Sequence, residues 1–139
     1  MILSNEVIES LKEGLNKCIE NNEIPVCAIV LDRNNKLVSI GINNRQKARN
    51  VLGHAEVNAI LDAEKVIDDW RLDGYRMVVT LEPCLMCQSI IEECRLDKVY
   101  YLCHRDGVST SSRYEYLSNK SLSEDYIKKL LTTFFNNRR

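Results

Sequence analysis

The chain has 139 residues, 45% hydrophobic and 28% charged, with a formal net charge of −1, which suits one domain (residues 1–139) burying its own core without covalent staples. No stretch approaches the roughly 18 consecutive apolar residues of a membrane span, and the start "MILSNEVIESLKEG" lacks the basic and apolar regions of a signal peptide. A cytoplasmic protein is therefore expected, whose six cysteines (Cys18, Cys27, Cys84, Cys87, Cys94 and Cys103) act as core residues or metal ligands, not disulfides.

Residues 4 to 21 have helical spacing, with Ser4 as cap and Val7, Ile8, Leu11, Leu15, Cys18 and Ile19 on one stripe. "IPVCAIVL" (24–31) reads as a buried strand and "LVSIGI" (37–42) as a second; the turn chemistry of "DRNNK" between them makes a hairpin. A polar loop, "NNRQKARNVLG", leads to a helix over 54–66. "YRMVVTL" (75–81) is a third strand, after which Pro83 suits the first position of a helix running through 84–95. "DKVYYLC" (97–103) is a fourth strand. His104 to Lys120 has no clear period, and Ser121 with Glu124 resembles a capping box for a last helix, 122–137. This order implies α/β architecture with helices on the faces of a sheet, the third and fourth strands being parallel neighbours.

Two short motifs carry chemistry: His54-x-Glu56, and Pro83-Cys84-x-x-Cys87 about 25 residues later. Cys84 and Cys87 stand at i and i+3 at a helix start, so both sulfurs can share one side. Zinc accepts thiolate and imidazole, and three protein ligands leave a tetrahedral position open for water. Helix N-termini converging there favour thiolates and hydroxide. Glu56 then need not bind metal and can move protons. The pattern H-x-E…P-C-x-x-C is a known signature of zinc deaminases. Other readings stand beside it. Cys-x-x-Cys can be a redox pair, although no Trp precedes Cys84. Cys94, Cys103 or His104 can complete a closed structural zinc site. Glu in a first helical turn is also ordinary capping chemistry.

At these residues the chain resembles the cytidine deaminase superfamily, and within it the bacterial tRNA adenosine deaminases, which convert the wobble adenosine of an arginine tRNA to inosine. The resemblance runs from about residue 20 to 106 through "NEIPVCAIV", "GIN", "HAE", "VVTLEPCLMC" and "RLDKVYY…RD", and returns at "LLTTFFNNRR" with Phe134 and Phe135. It implies a three-layer α/β/α cytidine-deaminase-like fold with a mixed central sheet and helices on both faces. It implies Zn2+ held by His54, Cys84 and Cys87, with Glu56 as the catalytic proton shuttle. It further implies substrate contacts from Asn43, the Ala55 backbone, Val26 and Asp106, a homodimer, and the tRNA anticodon arm as partner. Two departures stand out. Cys27 occupies a position where the family usually has Gly, which adds bulk beside the expected pocket. The Lys and Gly-rich stretch after Asp106 is replaced by "GVSTSSRYEY", and the region before the last helix is about a dozen residues shorter.

Charge agrees with an RNA partner. Arg33, Lys36, Arg45, Lys47 and Arg49 form a run without acidic residues leading to His54, and Lys128, Lys129, Arg138 and Arg139 add to it. The plainer reading is a solvated polar loop. The expected function is hydrolytic deamination of adenosine in tRNA. The alternatives are a deaminase of free bases or nucleosides such as guanine or cytosine, and a non-catalytic RNA-binding relative with structural zinc.

Overall fold

The structure is a computed structural model that describes residues 1–106 and 111–137. Arg138 and Arg139 of the expected basic tail lie outside the described residues. Elements follow in the order α1 (Asn5–Glu20), β1 (Cys27–Leu31), β2 (Leu37–Ile42), α2 (Arg45–Ala48), α3 (Ala55–Ile67), β3 (Arg76–Val79), α4 (Leu85–Glu93), β4 (Lys98–Tyr101), β5 (Tyr114–Tyr116) and α5 (Glu124–Asn136). They form one five-stranded sheet in the order β2-β1-β3-β4-β5. β1 is antiparallel to both β2 and β3, and β3, β4 and β5 run parallel.

β1 is buried at all five residues, as its uninterrupted apolar sequence requires of a central strand covered on both faces. The two faces can be read from neighbouring pairs. Cys27 and Ile42 pair across β1 and β2 and both meet Gly14 of α1; Gly41, one residue along, meets Ala55 and Ala59 of α3. Successive strand residues point to opposite faces, so α1 and α3 lie on opposite sides. α5 shares a groove with the end of α1, and α3 contacts α4. The result is the expected three-layer α/β/α sandwich.

Glycine sets the spacing at the layer that carries the site. A Cβ on Gly41 would lie 2.3 Å from both the Ala55 carbonyl oxygen and the Ala59 nitrogen. Only a residue without a side chain lets α3 approach β2 this closely. The contact is pinned by the Ser39 hydroxyl, which donates to the Ala59 carbonyl at 2.7 Å.

Several boundaries differ from expectation. β1 begins at Cys27, not 24; Pro25 has no N–H to give a strand ladder, and Ile24 and Val26 on either side of it line a cavity. The helix after β3 begins at Leu85 with Cys84 as N-cap, so Pro83 precedes the cap instead of opening the helix. The last helix is capped by Ser123, whose hydroxyl accepts from the Tyr126 N–H, and not by Ser121. β5 pairs within a stretch expected to be loop. Its three residues are too few to show a period, and their pairing with β4 is a long-range fact. Among the described residues no helix is long and apolar enough to cross a membrane.

Candidate active site

His54 and Cys84 are each the N-cap of a helix, α3 and α4, with extended backbone and no side-chain cap hydrogen bond. Side chains that commonly satisfy the first helical N–H groups turn instead toward each other. His54 Nδ1 lies 3.8 Å from Cys84 Sγ and 3.4 Å from Cys87 Sγ, and all three donor atoms lie within 4.8 Å of one another. A tetrahedral zinc with ordinary bond lengths sets nitrogen and sulfur about 3.6 Å apart. The donor set, one imidazole and two thiols at these separations, fits Zn2+. Cys94, Cys103 and His104, the candidates for a fourth ligand, do not join the cluster among the described residues. Cys94 points to the Ile91 carbonyl, Cys103 to the His104 carbonyl, and the His104 ring pairs with Glu124 at 2.8 Å.

The two thiols are electrostatically unlike. Cys84 is pulled down to about 5, first by the hydrogen bond it receives from Cys87, and also by His54 and Arg105. That same hydrogen bond and burial push Cys87 up. A cation bound between the two sulfurs displaces the protons they hold.

Glu56 occupies the first turn of α3 and is 3% exposed. Burial raises its carboxyl to about 7, with the Cys84 charge adding to the effect and its own backbone N–H and Arg105 opposing it. A carboxyl poised there gives and takes protons near neutrality.

These groups open onto a cavity of about 210 Å³ lined by Val26, Asn43, His54, Ala55, Glu56 and Cys84 among others. Six of the eight residues expected at the site thus line it, and Cys87 stands behind it, fully buried, within reach of His54. Asp106 is exposed and does not line the cavity; its neighbour Arg105 does. Asn43 donates to the Ile24 carbonyl and accepts from the Arg45 N–H, both at 3.3 Å, leaving one amide N–H and one lone pair.

Sequence reasoning gave no site role to four contributors, Glu82, Arg105, Leu131 and Phe135. Glu82, 3% exposed, accepts from the Arg105 N–H at 3.0 Å while Arg105 Nε donates back to the Glu82 carbonyl at 3.0 Å. This reciprocal clamp places a cation in the cavity wall. Leu131 and Phe135 of α5 close the opposite side. Nothing local in the sequence marked Glu82 as buried or pointed to Leu131.

Two expectations are corrected. Cys27 does not line the cavity. Its sulfur lies where a Cβ of Gly14 would be, on the α1 side of β1, because strand alternation turns residue 27 away from α3. The basic run also divides. Arg33 and Lys36 flank the β1–β2 turn, where Arg33 donates to the Asp73 carbonyl, while Arg45 lines the cavity at the other end of the hairpin. Five strand residues hold these ends roughly 16 Å apart.

Comparison with known proteins agrees with this geometry. Residues 3–103 match the family described as the cytidine and deoxycytidylate deaminase zinc-binding region. A tRNA-specific adenosine deaminase of Rickettsia bellii is 40% identical over 94 residues, 67% of this chain and 64% of the relative. Another from Streptococcus pyogenes serotype M18 is 33% identical over 117 residues, 83% of this chain and 72% of the relative. The match thus spans less than two thirds of the Rickettsia protein. A solved structure from studies of A-to-I editing by tRNA:A34 deaminases at the wobble position shares the fold. Its TM-score is 0.77 at 23% identity, over 92% of this chain and 100% of the other.

Proposed function

The chain belongs to the cytidine and deoxycytidylate deaminase family, and from that membership we propose that it hydrolyses adenosine to inosine at the wobble position of the tRNA anticodon arm. The observation that carries this reading is the three-donor corner with the buried Glu56 beside it, at the floor of a cavity edged by cations. The relatives named as tRNA adenosine deaminases support the substrate.

His54, Cys84 and Cys87 hold zinc, which when bound supplies the Lewis acidity that makes water nucleophilic near neutral pH. The remaining work falls to the chain. Glu56 takes a proton from the water that adds to C6 of the adenine and delivers it to the ring nitrogen. It then passes the second proton to the amino group, which leaves as ammonia while C6 becomes a carbonyl. Val26 and Leu81 supply apolar walls, so the carboxyl works in a desolvated setting. The spare N–H and lone pair of Asn43 read the purine edge, and the Ala55 N–H, in the first turn of α3 without an intrahelical partner, meets the base. Arg45, Lys47 and Arg49 face phosphate, as does the region of Asp106 with Arg105. A splayed-out loop nucleotide is the form in which RNA offers a base to such a cavity.

The working unit in this reading is a cytoplasmic homodimer. All six cysteines are free, as suits a reducing compartment. An apolar cleft between α3 and α4, with Leu61 and Trp70 half exposed, offers a second copy a surface.

The test is nucleoside mass spectrometry on an arginine tRNA anticodon stem-loop incubated with zinc-loaded protein. Inosine is expected at the wobble position, and Glu56→Ala should lower its rate about 10²–10⁴-fold at unchanged zinc content. Equal rates in the two proteins would sink the mechanism. Turnover of free guanine or cytosine with the stem-loop untouched would replace the substrate.

A further inference from the structure

Glu23 has no part in the chemistry described above, yet it is one of the most deeply buried polar side chains in the structure, 2% exposed. It follows α1, whose last turn it closes by donating its own N–H to the Cys18 carbonyl at 2.8 Å. Its carboxylate reaches across to α2. Oε1 accepts from the Gln46 N–H at 3.1 Å and Oε2 from the Lys47 N–H at 2.9 Å. Each oxygen takes one backbone donor, and bonds of this kind to a charged acceptor are stronger than neutral ones. The residue that caps α2 by position, Asn44, makes no side-chain cap hydrogen bond. A four-residue helix is far below the length that is stable by itself. The turn is therefore held from outside, by a carboxylate more than twenty residues away in sequence.

What the turn carries gives this a purpose. Arg45 is its first residue, and lines both the main cavity and a smaller adjoining one of about 100 Å³ walled by Glu23, Ile24, Asn43, Gln46, Phe134 and Phe135. The backbone of Arg45 is fixed on its other side by the Asn43 side chain and by Gly53, where any Cβ would come within 2.7 Å of the Arg45 N and Cα atoms.

We infer that Glu23 is a positioning residue for substrate: by clamping α2 it stations the Arg45 guanidinium on the rim between the two cavities, where it meets the phosphate next to the target nucleotide. This deepens the proposed function and rests on RNA as substrate. Glu23 touches no reacting atom. It acts through Arg45, and a flexible side chain presented from a fixed backbone loses less entropy on binding phosphate.

The consequence is a coupling between two residues that do not share a charge pair. Glu23→Gln offers an amide N–H to one of two backbone N–H groups and so releases that side of the turn. The experiment measures KM, kcat and the salt dependence of stem-loop binding for the wild type, Glu23→Gln, Arg45→Ala and the double variant, all zinc-loaded. Each single variant should raise KM about 5- to 10-fold, the upper part of the net range of one solvent-exposed hydrogen-bonded contact, with kcat within about twofold. The slope of log affinity against log salt should become shallower by about 0.7 to 1 in each, one phosphate contact fewer. In the double variant neither quantity should change further. Hydrogen exchange should show Gln46 and Lys47 losing protection in Glu23→Gln while α3 keeps its own. Multiplying KM effects in the double variant, or an unchanged salt slope in Glu23→Gln, would overturn the inference while leaving the deaminase reading intact. If the wild type makes no inosine, the deaminase reading fails, and stem-loop anisotropy with the same four proteins still decides the coupling: parallel slopes, or no binding at all, overturn it. Should Glu23→Gln fold poorly, Glu23→Asp, which keeps the charge but is one methylene too short to reach both N–H groups, must still raise KM and flatten the slope, and an unchanged slope there is equally fatal.

Discussion

His54, Cys84 and Cys87 hang from the first residues of two helices that lie against the sheet, whereas Arg45 and Lys47, a few residues upstream, ride on a four-residue turn held by a carboxylate from beyond α1. The metal corner is placed by backbone contacts. Gly41 lets α3 seat directly on β2, and parallel pairing of β3 with β4 fixes where α4 starts. The cationic rim owes its order to side-chain contacts made at long range. Chemistry that needs atoms placed to a few tenths of an ångström sits on the first kind of support. Recognition of a phosphate, which is screened and tolerant of angle, can use the second.

This contrast can be broken at its strongest point first. His54→Ala should abolish stoichiometric zinc binding and lower deamination by at least the roughly 10²–10⁴-fold of the proton-transfer step, while circular dichroism shows the fold retained. Metal analysis of the purified variant checks it; full zinc content would show that the corner is closed by some other donor.

The backbone support itself comes next. Gly41→Ala should cost more than about 3 kcal/mol, above the usual range for overpacking, since the added Cβ meets only backbone. Gly14→Ala should cost about 1–3 kcal/mol, because the atom in its way, 2.3 Å off, is the Cys27 sulfur. In a Cys27→Gly background most of that cost should vanish, leaving the 3.1 Å approach to the Ile42 methyl set against the gain of about 1 kcal/mol that Ala has over Gly in a helix. Denaturant melts of the four proteins in that second cycle give the coupling. Additive effects would mean that Cys27 and Gly14 are not the fitted pair that their geometry indicates, and a changed KM in Cys27→Gly would return that residue to the pocket.

The smallest effect belongs to the loop beyond β4. The Glu124 carboxyl is held below its ordinary 4.5 by the N–H and ring of His104. A lowered folded value means stability that is present above pH 4.5 and lost as pH falls through the folded value. Glu124→Gln should therefore melt slightly below the wild type at pH 6, by less than about 1 kcal/mol for so exposed a pair, and the gap should close in acid. A gap that persists at low pH would assign the effect to lost helix capping in place of the carboxylate's bonds to the His104 N–H and ring.

Much of the metal corner was legible because its information is local. His-x-Glu and Pro-Cys-x-x-Cys are residue types at fixed spacing, each beside a helix start that periodicity reveals, and a short apolar strand leads into the second. The hairpin and the β3-α4-β4 unit were legible for the same reason. Glu82 and Arg105 were not, since their reciprocal clamp joins residues 23 apart. β5 and α2 were not, because three- and four-residue elements carry no period and exist through what they contact. The direction of Cys27 stayed open for a different reason: the family position suggested bulk beside the pocket, while the side chain's direction follows from strand parity against α1.

The sequence by itself determined the donor types of the three-residue cluster and the alternation of strands with helices, since both are read from residue chemistry and spacing within a turn or a strand, and its motifs carried the resemblance to the family. Only the tertiary structure decided which cations share a rim with the cavity, which cysteine packs against Gly14, and that a glutamate at the end of α1 holds the turn of Arg45. Those are contacts across dozens of residues, and their partners are chosen by the sheet that brings the chain back on itself.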